Sequence, residues 1–176
     1  MKGMKALLAA FAFAALVQPA AAANSALSPE ANAKFLADNA QKRGVVTRPS
    51  GLQYNILRSG YGKRPLPTDI VTVYYTGSLI NGQVFDGTEP GLPSQFPANK
   101  LIPGWTEALT LMREGDKWHL VIPAGLAYGA RGAGEGAIPP NQTLVFDVEL
   151  VTVTTPKEEP KKDEDTSTGN QDLLGH

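Results

Sequence analysis

The sequence predicts an α+β fold in which a strongly twisted antiparallel sheet faces one short helix, with a second short helix ahead of it. Three observations predict it. Several segments alternate apolar and polar residues with a period of two, and one alone places its large apolar residues at helical spacing. Third, 18 Gly and 14 Pro in 176 residues call for many turns and short strands.

The elements follow in order. Ser28-Pro29-Glu30 reads as a helix start: a capping hydroxyl, proline at the first helical position and an acid at the positive end of the dipole. This helix runs to about Lys42, offers a narrow apolar face at Phe35 and Leu36, and stops near Gly44. Leu52 to Leu57 reads as a strand and Gly60 to Pro67 as a loop. From Asp69 to Ile80, Val71, Val73 and Tyr75 alternate against Thr72, Tyr74 and Thr76, the clearest strand signal in the chain. Asn81-Gly82 turns it back toward Val84-Phe85. Trp105, Leu109 and Met112 then share one face of a helix from Pro103 to Glu114, ended by Gly115. Trp118, Leu120 and Ile122 alternate again, as do Leu144, Phe146, Val148 and Leu150, until Thr152 closes the apolar series. One helix on one twisted sheet is the simplest arrangement that buries all these faces.

Both ends of the chain read differently. Lys2 and Lys5 precede twelve apolar residues, Ala6 to Val17, and Ala21-Ala22-Ala23 offers a small-x-small cleavage site before Asn24. A twelve-residue helix rises about 18 Å, short of a hydrocarbon core of about 30 Å, so residues 1–23 read as a signal peptide rather than an anchor. No later run is apolar enough to span a bilayer, so no stable membrane insertion is expected once the signal is cleaved. From Pro156 to His176, three lysines, six acids and one leucine pair cannot offset ordering entropy, so 156–176 reads as a disordered charged tail.

Composition removes several functions. The net charge is −1, and residues 24–155 hold eleven basic and eleven acidic groups, so no broad surface for nucleic acid is expected. No cysteine is present, which excludes disulfides, thiolate metal clusters and a cysteine nucleophile. Two histidines, one of them terminal, exclude a multi-histidine metal centre. An exported chain held by its core alone suits the bacterial periplasm. The stretch Gly132-Ala133-Gly134-Glu135-Gly136-Ala137 brushes against a dinucleotide fingerprint. Ile138-Pro139-Pro140 follows it, though, where a helix N-terminus would have to meet the pyrophosphate, and a glycine loop is the better reading. No serine lies in a Gly-x-Ser-x-Gly turn, and His119 alternates away from the apolar face, as a solvated strand histidine does. The acids are scattered without a pairing signal; Asp86, beside Phe85 at a strand end, is the exception.

Above this background stands an aromatic and apolar set: Tyr75, Phe85, Leu101, Ile102, Trp105, Tyr128, Ile138 and Phe146, drawn from separate segments and falling mostly at strand ends, a helix start or loops. Any one of them could be a core residue. In order, however, Val73-Tyr74-Tyr75-Thr76-Gly77, Phe85-Asp86-Gly87-Thr88, Leu101-Ile102-Pro103-Gly104-Trp105, Ile122-Pro123-Ala124 with Ala127-Tyr128-Gly129, Ile138-Pro139-Pro140 and Thr143 through Leu150 resemble the FK506-binding-protein (FKBP) family of peptidyl-prolyl cis–trans isomerases. The resemblance spans about residues 50–154. The preceding stretch, Phe35 to Ala40 and Ser50 to Tyr54, is similar to the exported bacterial branch of the macrophage-infectivity-potentiator type.

The resemblance implies a five- or six-stranded antiparallel sheet around the Trp105 helix, with 24–49 as a helical segment before an isomerase domain at 50–155. It also implies a shallow apolar pocket for a proline ring, with Trp105 as floor and Tyr75, Phe85, Leu101, Ile102, Ile138 and Phe146 as walls. The Ile102 N–H and the Tyr128 hydroxyl would donate to ligand carbonyls, and the Asp86 carboxylate would lie beside the bound amide. No metal or cofactor is required. Partners would be proline-containing polypeptides or unfolded exported proteins, with macrolides such as FK506 and rapamycin as inhibitors. The single short N-terminal helix, where dimeric relatives carry a longer arm, favours a monomer. Three positions depart from the family pattern. Tyr74 stands where many members have His. Ala137 is small before Ile-Pro-Pro, and Leu92 to Gln95 supplies no aromatic at a rim position; these two bear on inhibitor affinity and substrate preference. A binding module or holdase chaperone using the same groove, with weak isomerase activity, is the rival reading.

Overall fold

A computed structural model describes residues 26–157. The expected signal peptide and all of the charged tail beyond Lys157 lie outside them. The first helix, α1, spans Pro29–Ala40; Ser28 caps it by accepting from the Ala31 N–H at 3.1 Å, and Pro29 stands at its first position. Strands follow at Val45–Thr47 (β1), Gln53–Arg58 (β2), Ile70–Leu79 (β3), Val84–Gly87 (β4) and Ser94–Pro97 (β5). Then come helix α2 at Pro103–Leu111, strand β6 at Lys117–Ile122 and strand β7 at Leu144–Thr154. All pairings are antiparallel, in the order β1-β2-β6-β7-β3-β4, with β5 on β3 beside β4.

The predicted α+β architecture is observed, with seven strands where five or six are expected. The two unforeseen strands are short. β1 has three residues and pairs only with β2, while β5 ends at Pro97 and pairs only with β3. Neither is long enough to show a two-residue period. The core alternation holds: Val71, Val73, Trp118, Leu120, Ile122, Leu144, Phe146, Val148 and Leu150 are buried, and α2 lays Trp105, Ala108 and Leu109 against them, with Met112 just beyond its end. Burial on this scale supplies the main folding force, at about 25 cal/mol per Å² of apolar surface.

Three local expectations are corrected. Helix α2 stops at Leu111, earlier than Glu114: Met112 is already extended (φ −75°, ψ 163°) and caps the helix by donating its N–H to the Ala108 carbonyl, while its side chain stays fully buried. Strand β7 continues past Thr152, since a register shift between Thr72 and Val73 admits an extra residue and returns Val153 to the core. Finally, α1 docks less through Phe35 and Leu36, which are only partly buried, than through amides. Asn32 and Asn39 are its buried residues, and Asn39 donates to Gln53 Oε1 at 2.8 Å.

The turn at Asn81-Gly82 is as read. Gly82 holds φ +86°, and the Asn81 side chain accepts from the Gln83 N–H at 3.0 Å.

Candidate active site

Strand β3 carries its inward row from Val71 and Val73 to Tyr75, where the core opens toward solvent. Strand β4 runs beside it, with Asp86 opposite Gly77 and a register shift after Gly77. Two bonds stitch the strand end: Tyr75 N–H donates to Thr88 Oγ1 at 3.1 Å, and Thr88 N–H to the Tyr75 carbonyl at 2.9 Å. This fixes Asp86. Its carboxylate accepts from the Tyr75 hydroxyl at 2.7 Å and from the Gly87 N–H at 2.8 Å. Burial, and then the Asp86 carboxylate, hold the Tyr75 phenol far above its ordinary value, so it stays protonated and donating.

Helix α2 supplies the floor. Ile102 precedes it and Pro103 occupies its first position, and the N–H groups of Trp105 and Thr106 both return to the Ile102 carbonyl, at 3.0 and 3.1 Å. This tight start aims Trp105 inward. Around the indole stand Tyr75, Phe96 and Phe146, with ring centroids 5.4, 6.4 and 5.4 Å away and planes at 89°, 81° and 89° to it. Phe85 meets Phe146 edge to face at 5.7 Å. Such perpendicular contacts suit aromatic quadrupoles and hold each ring upright.

Together these residues enclose a cavity of about 420 Å³, lined by Tyr75, Phe85, Asp86, Phe96, Lys100, Leu101, Ile102, Trp105, Tyr128 and Phe146. Trp105 borders this volume although it is 4% exposed, and the cavity lies within the size range of small-ligand sites. Tyr128 reaches the rim from the long β6–β7 loop and is 41% exposed. Among the described residues, neither its hydroxyl nor the Ile102 N–H is engaged by another group of the chain, and both residues line the cavity.

Eight of the nine candidate residues thus come together. Ile138 does not line the cavity. It is buried in the core cluster and exchanges two backbone bonds with Ala133, which turn its side chain into the core while Pro140 stays exposed. Two lining residues escape the sequence reading. Phe96 supplies the rim aromatic that Leu92 to Gln95 lacks, one residue further on, from β5 opposite Val71. Its signal was a lone aromatic between Gln95 and Pro97, two residues from Ser94. Lys100, just ahead of the Leu-Ile-Pro-Gly-Trp motif, carries no such signal. His119 points away from the apolar face, as read. It is half-buried on the other sheet face and lies 2.8 Å from Asp147, its register partner on β7.

Comparison with known proteins adds the following. A family model described as FKBP-type peptidyl-prolyl cis-trans isomerase matches residues 62–151, and one described as the domain amino terminal to that isomerase matches residues 1–56. The FKBP-type 22 kDa peptidyl-prolyl cis-trans isomerase of Escherichia coli is 54% identical over 121 residues, covering 68% of this chain and 58% of that protein. The outer membrane protein MIP of Legionella longbeachae is 52% identical over 120 residues, covering 68% of this chain and 51% of the relative. This chain therefore spans little more than half the length of these relatives. Among solved structures, FkpA from Escherichia coli superposes with a TM-score of 0.68 at 43% identity, covering 77% of this chain and 61% of that one. A peptidyl-prolyl cis-trans isomerase from Pseudomonas syringae gives a TM-score of 0.66 at 38% identity, covering 80% of this chain and 99% of that one.

Proposed function

Since the chain belongs to the FKBP-type peptidyl-prolyl cis-trans isomerase family, we propose that its cavity accelerates cis–trans rotation about Xaa-Pro bonds in exported polypeptides. The observation that carries this is the cavity bordered by Trp105, walled by upright aromatic rings and lined by two residues, Ile102 and Tyr128, whose donors no other group among the described residues engages.

Rotation about a prolyl amide faces a barrier of about 18–20 kcal/mol because it breaks resonance. No bond is made or broken, so no proton, electron or group has to move. The planar amide carries charge separation between nitrogen and oxygen, and twisting it by a right angle removes much of that separation. A low-dielectric wall of Trp105, Phe85 and Phe146 therefore disfavours the planar amide more than the twisted one. Only such a differential effect accelerates the step. The Ile102 N–H and the Tyr128 hydroxyl anchor flanking carbonyls, and Asp86, held by Tyr75 and Gly87, presents a fixed negative edge to the rotating amide. A thousandfold acceleration needs about 4 kcal/mol.

The leader-like residues 1–23 and a relative named as an outer membrane protein support export, with the bacterial periplasm as the working compartment. Macrolides of the FK506 and rapamycin type would compete for the same floor. The unit acts as a monomer, since α1 turns back onto its own domain through buried amides; light scattering on the mature chain checks this.

Exchange spectroscopy on a short Xaa-Pro peptide tests the function. Catalytic amounts of the chain should collapse the separate cis and trans signals. Phe146→Ala should slow the enzymatic rate by about tenfold or more, the equivalent of at least about 1.4 kcal/mol. Protection of an unfolding client without faster exchange would instead show a holding module.

A further inference from the structure

The β6–β7 loop, residues 123–143, carries Tyr128 to the cavity with little regular structure of its own. It contains three short 3-10 turns and one isolated bridge, Ala133 with Ile138. Its returning stem holds the approach to Tyr128: the Asn141 N–H donates to the Gly129 carbonyl at 2.8 Å, with Asn141 itself at φ +60°.

What holds that stem is α1. Asn32 is 5% exposed, and its Nδ2 lies within hydrogen-bond distance of the carbonyls of Leu27 (3.2 Å) and Ser28 (3.0 Å) and of Gln142 Oε1 (3.1 Å). Its Oδ1 accepts from the Thr143 N–H at 2.7 Å. Gln142, also buried, returns its Nε2 to the carbonyls of Leu27 at 3.1 Å and Pro140 at 3.0 Å. Two buried side-chain amides are thus fully engaged between the start of a helix and the stem of the loop. Breaking one side of such a network leaves buried polar atoms without partners, which costs far more than a surface contact.

The other end of α1 offers an internal comparison. Asn39 is equally buried, but its amide goes to Gln53 of β2, whose Nε2 returns to the Leu36 carbonyl; neither bond touches the loop.

Resting on the isomerase reading above, we propose that Asn32 is a positioning residue for that reaction. Through Gln142 and Thr143 it fixes the loop stem, and through the Asn141–Gly129 contact it sets where the Tyr128 hydroxyl meets the substrate carbonyl. Helix α1 is then part of the support of the site, where the sequence alone shows only a segment preceding the domain.

A double-mutant cycle on the full chain tests this, with kcat and KM for a short Xaa-Pro peptide measured by exchange spectroscopy. Asn32→Ala should raise KM about fivefold with kcat within about twofold. In a Tyr128→Phe background the same substitution should change KM by less than about twofold, because its target is already gone. Asn39→Ala should lower the melting temperature yet leave KM unchanged. Additive effects of Asn32→Ala and Tyr128→Phe, or a KM rise for Asn39→Ala equal to that for Asn32→Ala, would overturn the proposal. If Asn32→Ala does not fold, Gln142→Ala removes the same bridge from the loop side and takes its place in the cycle. If the wild-type chain fails to accelerate exchange, the isomerase reading falls by itself. Amide hydrogen exchange at Tyr128 and Gly129 then decides the positioning: faster exchange in Asn32→Ala than in Asn39→Ala upholds it, and equal exchange refutes it.

Discussion

Gly77 shows how closely the walls of the cavity are fitted. A methyl group there would lie 2.6 Å from Phe146 Cε1 and 2.9 Å from Phe85 Cε2, so both aromatic rings would have to move. Gly77→Ala is expected to destabilise the fold by about 1–3 kcal/mol, as overpacking does, and to lower kcat/KM more than that loss explains. Thermal melting and exchange spectroscopy on the same sample separate the two effects. Lys100 is a second residue with a definite consequence. Among the described residues its ammonium pairs with no carboxylate, while Asp86, on the same cavity, is already engaged by Tyr75 and Gly87. A peptide with Glu before proline should therefore be turned over better than one with Lys, and Lys100→Glu should reverse the order. Equal preferences in both proteins would exclude a role for this charge. Neither residue could be read from the chain itself. Lys100 looks like any surface lysine, whereas Tyr75, Phe85, Trp105 and Phe146, each readable alone as a core residue, were legible through the ordered motifs that resemble the FKBP family.

At the scale of elements, legibility followed length and regularity. β3, β6 and β7 declared themselves by alternation and α2 by spacing, whereas β1 and β5 are too short for either. α1 was legible at its start, through Ser28 and Pro29, but it ends at Ala40 with Gln41 as its cap, short of the expected Lys42, and its docking face was hidden because buried asparagines are indistinguishable in sequence from solvated ones. The loop leading into β3 illustrates a similar hidden device. Asp69 is fully buried and accepts from the Leu66 N–H at 2.9 Å, with Lys63 Nζ at 2.9 Å from the same oxygen. The Leu66 N–H above all, and then Lys63, hold its carboxyl below the ordinary value against the opposing effect of burial. A carboxylate depressed in the folded state stabilises above its unfolded pKa of about 3.9, and that stabilisation fades as pH falls through the folded value. Asp69→Asn should therefore be less stable than the wild type at pH 7, with the gap closing as the pH drops below about 4. Denaturant titrations at several pH values read this directly; a variant as stable as the wild type at pH 7 would refute it.

For the whole molecule, β7 is the organising strand, paired along β3 on one side and β6 on the other. The last turn of the chain path closes there too, where Glu114 Oε1 accepts from the Val153 N–H at 2.5 Å. A chain ending at Lys157 should keep its melting temperature and activity, while one ending at Leu150 should lose the cooperative transition, as differential scanning calorimetry would show. The two edges of the sheet have a different bearing. One is the three-residue β1, and the other is divided between β4 and β5 by the hairpin at Glu89 and Leu92. Neither presents a long run of free N–H and C=O groups on which a foreign strand could grow. A sheet bordered in this way is spared from seeding aggregation on its own flanks.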